Sequence, residues 1–234
     1  MPYIRLLRPH QWVKNIFVFA GLIFGKKIGD PGSVLAALQG FALLCVVSSS
    51  VYVMNDIRDR EEDRLHPRKK DRPLASGTVS VWAAGGLALI LLALGMIGSY
   101  ALDRGFFACM TAYFVLQIAY TLVLKHMVIL DVVVLGVGFV LRAVAGAVLV
   151  HVAISHWLVL CTFTLCLFMG FSKRRCEFNA LAETANSASS HRRTLRDYTP
   201  QLLDHMTTLT AGIAMTCFML YTTDRRTIEE FRTN

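Results

Sequence analysis

The residues of this sequence that could do chemistry are concentrated in one stretch. An apolar run ends at Met54 and is followed by Asn55-Asp56-Ile57-Arg58-Asp59-Arg60-Glu61-Glu62-Asp63. If the run is a helix that continues, Asp56, Asp59 and Asp63 stand at i, i+3 and i+7. They then lie at about 0°, −60° and −20° around the axis, one stripe roughly two turns long. Glu61 and Glu62 point elsewhere. Carboxylates this close repel unless a cation lies among them. Oxygen ligands in that number suit Mg²⁺, which keeps part of its water and shares its coordination sphere with phosphates. The plainer alternative is a solvated acidic helix end. The next residues weigh against it: His66-Pro67-Arg68-Lys69-Lys70-Asp71-Arg72-Pro73-Leu74-Ala75-Ser76-Gly77 places four cations within five positions just after the stripe. Carboxylate-bound Mg²⁺ beside Lys and Arg is suited to a diphosphate. Membrane sidedness alone explains one or two of these cations, and Pro-Leu-Ala-Ser-Gly reads as a turn before the next helix.

The elements that must position this stretch are membrane spans. Of 234 residues 55% are hydrophobic and 17% charged, against about a quarter charged in soluble domains. That balance excludes disorder and a soluble globular enzyme. Seven apolar runs of spanning length predict an all-α, polytopic helix bundle: Trp12–Gly29, Val34–Met54, Val79–Leu102, Gly105–Leu124, Ile129–Val150, Ile154–Ser172 and Leu202–Tyr221. None alternates as a barrel strand would. Met1 to Asn15 lacks the uncharged core of a cleavable signal. With the N-terminus placed inside, 17 of the 24 Lys and Arg fall on the inner side and six outside, with Arg142 inside a span. This predicts a multi-pass protein of the inner (plasma) membrane, its N-terminus and both long polar segments, 55–78 and 173–201, in the cytoplasm. The net charge of +8 thus reports topology and not nucleic-acid binding. The six cysteines form no CxxC pair and read as buried hydrophobes.

Asn55-Asp56-x-x-Asp59-x-x-x-Asp63, followed by His-Pro-x-Lys-x-x-Arg-Pro-Leu-Ala-Ser-Gly, resembles the signature of the UbiA superfamily of intramembrane prenyltransferases. Arg8-Pro9-His10-Gln11-Trp12-Val13-Lys14-Asn15 is similar to the start of one branch, the decaprenyl-phosphate phosphoribosyltransferases. So are Tyr120 through Lys125, Asp131, Gly138 to Ala143 with Ala145-Gly146, Lys173-Arg174-Arg175-Cys176-Glu177 and Tyr198. The resemblance implies a bundle around a central cavity open to the cytoplasm and to lipid. It also implies Mg²⁺-dependent transfer of a phosphoribosyl group from phosphoribosyl diphosphate to a polyprenyl phosphate. The superfamily carries a second Asp-rich motif after helix six, where this chain has Lys173-Arg174-Arg175 and a single Glu177. A basic stretch suits an additional phosphate, such as the one at C5 of the donor. The family has nine helices, so a single UbiA-like domain over 1–234 with seven is expected to lack the last pair.

Two spans carry charge. Asn15 to Gly25 gives only eleven uncharged residues before Lys26, too few for an α-helix to cross about 30 Å of hydrocarbon. Lys14 therefore lies near the cytoplasmic boundary, either snorkelling to headgroups or contacting a phosphate. Arg142, deep in the fifth span, requires a partner in the bundle interior; Asp131, about 16 Å away along the axis, cannot be it directly. A structural ion pair with another helix and a site contact stay open for both.

On this reading Asp56, Asp59 and Asp63 hold Mg²⁺ on the donor diphosphate, Asn55 orients them, and Lys69 and Arg72 share the charge. Lys14, Lys173 and Arg174 receive the ribose 5-phosphate or the acceptor phosphate, undivided between them. Tyr120, Lys125, Asp131, Arg142 and Glu177 complete the expected substrate-binding set, and self-association is left open. Two rivals remain. A prenyltransferase of the same superfamily would use a prenyl diphosphate donor. A transporter would use Asp131 and Arg142 on an ion path, although the charges concentrate in loops and no inverted repeat is visible.

Overall fold

A computed structural model describes residues 1–66, 69–183 and 197–231. Arg68, Arg192, Arg193, Arg196 and Arg232, counted above for sidedness, lie outside the described residues. Among those described there is helix and turn but no strand. Five helices are long and apolar enough to cross a membrane: α3 (Pro31–Arg58), α5 (Val81–Leu102), α6 (Arg104–Leu122), α7 (Leu130–Leu149) and α8 (His156–Glu183), the last through Asn179. They fall on expected spans two to six. The seventh expected span is α9 (Pro200–Thr223), followed by the short α10 (Arg225–Phe231). The protein is an integral membrane protein.

The first span departs from expectation. After α1 (Pro2–Leu7), residues Pro9–Phe19 form a 3₁₀-helix, and only Ala20–Phe24 (α2) is α-helical. A 3₁₀-helix rises about 2.0 Å per residue against 1.5 Å for an α-helix. These sixteen residues can therefore reach roughly 30 Å, which the α-form could not. Three residues per turn also sort the side chains into rows. Trp12, Asn15 and Val18 turn inward, Gln11, Lys14 and Phe17 are half-buried, and His10, Val13 and Ile16 are exposed.

The chain divides into two compact units. The first comprises Met1–Val123 and Leu141–Ala153. Its α3 starts on a capped turn, with Asp30 accepting from the Ser33 amide at 3.1 Å and Pro31 at the first helical position. The helix runs past the apolar segment and carries Asn55 and Asp56 before stopping at Arg58. Asp59 is the junction to α4 (Arg60–Leu65), which carries Asp63. The helix is thus interrupted where continuity was expected. The i→i−4 bonds persist, however, from Asp59 N to Asn55 O at 2.9 Å and from Asp63 N to Asp59 O at 2.8 Å. The next turn is anchored by buried Leu74, Ala75 and Val79, with Gly77 at φ +77°, where a side chain would be strained. Asp103 alone joins α5 to α6, capping the second by accepting from Phe106 N at 2.7 Å. Val18, Leu44, Val47, Phe106, Met110, Tyr113, Ala145 and Leu149 form the core. Gly146 permits backbone contact: a Cβ there would meet the Val18 carbonyl oxygen at 1.8 Å. On α5, Leu89, Ile90, Leu94 and Ile97 face outward, as lipid-facing residues do.

The second unit contains residues 124–140, 154–183 and 197–231. Its core is Val132, Phe171, Tyr198 and Leu203. Thr199 caps α9 by accepting from Leu202 N at 3.2 Å, with Pro200 at the first helical position.

Candidate functional site

In the first unit, the end of α3, α4 and the following turn bring the motif residues together. Asp56 and Asp63 are both buried, each 3% exposed. Arg72 Nη1 donates to Asp56 Oδ1 at 3.2 Å and to Asp63 Oδ2 at 2.6 Å. Lys69 Nζ stands 3.7 Å from Asp63 Oδ1. Arg8 Nη2 donates to the same Asp56 Oδ1, and its guanidinium lies 5.5 Å from the centre of the Tyr52 ring. Asp59 accepts from Asn55 Nδ2 at 3.1 Å.

The structure therefore joins two of the three expected carboxylates through Arg72. Among the described residues no group of three or more His, Cys, Asp and Glu side chains is placed to hold a metal ion. What lies between Asp56 and Asp63 is a guanidinium nitrogen, so the repulsion argued from sequence is relieved by arginine. The donor chemistry still fits Mg²⁺: two buried carboxylates converge on a single cationic atom, with Asp59, which accepts from the Asn55 amide, three residues after Asp56 and four before Asp63.

Arg8 was read from sequence only as part of a motif and a topological charge. Its partner stands 48 positions away, a distance over which spacing carries no signal. Its backbone is left-handed, at φ 51° and ψ 58°, immediately before Pro9. That region is uncommon for a residue with a side chain and marks constraint.

Of the other expected site residues in this unit, Lys14 is half-buried on the 3₁₀-helix and Tyr120 is buried on α6. Arg142, 4% exposed, donates from Nε to Asn15 Oδ1 at 3.0 Å and from Nη2 to the Tyr113 hydroxyl at 2.9 Å, and lies over the Tyr113 ring at 4.7 Å. Asn15 Nδ2 in turn donates to Ser48 Oγ at 3.1 Å and to Cys45 Sγ at 3.3 Å. This network ties the first span, α3, α6 and α7, so Arg142 has the interior partners that its depth requires.

In the second unit, Asp131 (1% exposed) and Arg174 (4%) form a buried pair, Nε to Oδ2 at 2.9 Å. Arg174 Nη1 also donates to Glu177 Oε2 at 2.8 Å. Arg174 was expected to receive a substrate phosphate; here two carboxylates engage it. Of the alternatives left open for Asp131, the structure gives the ion pair. Tyr198 donates to Asp131 Oδ1 at 2.6 Å and accepts from Ile129 N at 2.7 Å. Burial and the Asp131 carboxylate push the Tyr198 phenol well above its ordinary pKa, so it stays protonated and donating. Lys173 is 71% exposed and 3.9 Å from Glu177 Oε1. Lys125 lies half-buried in the short 3₁₀-turn Leu124–His126.

Residues 15–224 match the model of the UbiA prenyltransferase family. The chain is 35% identical to a decaprenyl-phosphate phosphoribosyltransferase from Mycolicibacterium smegmatis, over 95% of this chain and 70% of that protein. It is 34% identical to one from Mycobacterium tuberculosis, over 95% and 74% respectively. Among solved structures, a UbiA homolog from Archaeoglobus fulgidus bound to DMAPP and Mg²⁺ superposes with a TM-score of 0.77 at 19% identity, covering 99% of this chain and 81% of that one.

Proposed function

The chain belongs to the UbiA prenyltransferase family, and from that premise we propose that it transfers a 5-phosphoribosyl group from phosphoribosyl diphosphate to a polyprenyl phosphate, releasing diphosphate. The observation that carries this reading is the convergence of Asp56 and Asp63, flanked by Lys69 and Arg72, in a chain 34–35% identical to decaprenyl-phosphate phosphoribosyltransferases. Such a constellation recognises a diphosphate, and the phosphoribosyl donor is carried over from relatives that are 34–35% identical.

Asp56 and Asp63, with Asp59 held by Asn55, would hold Mg²⁺, which supplies charge neutralisation on the departing diphosphate. Lys69 and Arg72 carry the remaining diphosphate charge. The bond from the acceptor phosphate oxygen to the anomeric carbon forms as the bond from that carbon to the diphosphate oxygen breaks. The acceptor oxygen is already anionic, so no side chain has to remove a proton. This is consistent with a cluster built from carboxylates, Lys and Arg. Lys14 is assigned to a further substrate phosphate, and the polyprenyl tail stays in lipid. On this reading the chemistry runs at the cytoplasmic face of the inner membrane, which the charge asymmetry supports.

Labelled phosphoribosyl diphosphate and labelled prenyl diphosphate, each supplied with polyprenyl phosphate to the purified protein in liposomes with Mg²⁺, test the reading. Label entering lipid from the first donor alone supports it. Label entering only from the second makes the protein a prenyltransferase of the same family.

A further inference from the structure

Asp56 Oδ1 accepts from two guanidinium groups, those of Arg8 and Arg72, while Asp63 is engaged by Arg72 and Lys69. Three cations thus face two buried carboxylates. The two oxygens on which the site converges, Asp56 Oδ1 and Asp63 Oδ2, are already hydrogen-bond acceptors, and Asp63 Oδ1 faces Lys69 Nζ at 3.7 Å. A divalent ion that bridges these two oxygens must displace the guanidinium nitrogens that hold them. A guanidinium leaving a buried carboxylate needs another anion, because an unpaired charge in such a place is costly.

We propose that Arg8 and Arg72 are exchangeable counter-cations. They neutralise Asp56 and Asp63 in the unliganded protein and pass to the donor's diphosphate oxygens as the divalent ion takes their place. The proposal rests on the diphosphate-transfer reading of this site but not on which group is transferred. It makes Arg8 a diphosphate-binding residue.

Three features of Arg8 suit it to the exchange. Its side chain is 17% exposed while that of Asp56 is 3%, so the cation keeps an open side that the anion lacks. It stands at the joint between α1 and the 3₁₀-helix, in a left-handed conformation before a proline. Such a conformation persists only where its surroundings hold it. The Tyr52 ring face provides a second contact that does not depend on the carboxylate. Arg72, 29% exposed, sits on the turn after α4, outside any long helix. No bond is made or broken in the exchange; the guanidiniums trade carboxylate for phosphate oxygen acceptors, which they bind in the same forked geometry.

The consequence is coupling. Divalent metal alone binds weakly, since it must displace paired cations that have nowhere to go. Metal and diphosphate together bind well, because each supplies what the other displaces. Linkage makes the effect reciprocal.

Mn²⁺ titrations followed by the electron paramagnetic resonance of the free ion, with and without inorganic diphosphate, test this on the purified full chain. In the wild type, diphosphate should tighten Mn²⁺ binding by about tenfold or more, within the usual range of such couplings. Arg8→Gln should bind Mn²⁺ alone more tightly than the wild type does, yet gain less than about threefold from diphosphate. Arg8→Lys, which keeps the charge but loses the fork, should fall between them and serves as the decisive variant if Arg8→Gln loses its helical circular dichroism. Mn²⁺ binding that Arg8→Gln or Arg8→Lys leaves unchanged in the absence of diphosphate, with the enhancement intact, would overturn the proposal. Because the probe is inorganic diphosphate, this outcome is independent of whether phosphoribosyl or prenyl diphosphate is the donor.

Discussion

Asp56 and Asp63, seven positions apart on two successive helices, meet on a single atom, Arg72 Nη1, at 3.2 Å and 2.6 Å. The break at Asp59 and the return of the chain through the turn at Pro73–Gly77 make this convergence. It is the relationship on which the functional reading stands, and its consequences can be measured.

Replacing either aspartate by asparagine keeps size and packing but removes the charge that Arg72 and a divalent ion both need. Asp63→Asn and Asp56→Asn should each lower transfer by at least about a hundredfold, equivalent to about 2.7 kcal/mol of transition-state stabilisation. Asp59→Asn should also abolish detectable transfer in membranes supplied with both substrates. Rates of label incorporation into lipid give the comparison, with helix content from circular dichroism as the control.

Asn15 supplies the acceptor for Arg142 Nε within the core of the first unit. Asn15→Ala leaves a buried guanidinium nitrogen without that acceptor and should destabilise by about 2 kcal/mol. Thermal denaturation in detergent, read against the wild type, should show a lower midpoint. An unchanged midpoint would mean that the network does not tie the first span down.

Gly146→Ala should be poorly tolerated, because the added Cβ would stand 1.8 Å from the Val18 carbonyl oxygen and backbone cannot yield as a side chain can. Gly85→Ala on α5 is the matched control. Nothing lies within 4 Å of a Cβ there, and relief of glycine's backbone entropy should leave stability equal or raised by up to about 1 kcal/mol. The melting midpoint should fall in Gly146→Ala and stay level or rise in Gly85→Ala.

The hydrogen bond from Tyr198 to Asp131 requires a protonated phenol. The folded-state pKa is raised, so the stability it contributes is complete below the unfolded value of about 10 and is lost as pH rises beyond it. Tyr198→Phe should therefore lower the melting midpoint by a constant amount between about pH 6 and 9. A difference that shrinks toward pH 9 would place the titration lower than the burial and the carboxylate allow.

Apolar length was legible in the sequence. The expected Val79–Leu102 and Ile129–Val150 coincide with α5 and α7 to within two residues at each end. The uncharged stretch Asn15–Gly25 was legible as too short to span unaided, but the 3₁₀ form of the first span was not, because periods of 3.0 and 3.6 barely separate over eleven residues. The aspartate spacing foretold that carboxylates would gather. It could not reveal that Arg72 would stand between two of them, nor that Arg8 would join from 48 positions away. Arg174 shows the same limit from the other side. Its charge suggested a phosphate, but Asp131, 43 positions distant, accounts for it within the fold. Sequence spacing reports which groups share an element; the pairing between elements depends on packing that spacing does not encode.

Binding of phosphoribosyl diphosphate to the purified protein, measured by isothermal titration with and without Mg²⁺ in the wild type and in Asp63→Asn, probes the central claim most directly. Mg²⁺ is expected to tighten donor binding by about tenfold or more in the wild type, and Asp63→Asn to remove the enhancement. Donor affinity that is the same with and without Mg²⁺, and the same in both proteins, would contradict it.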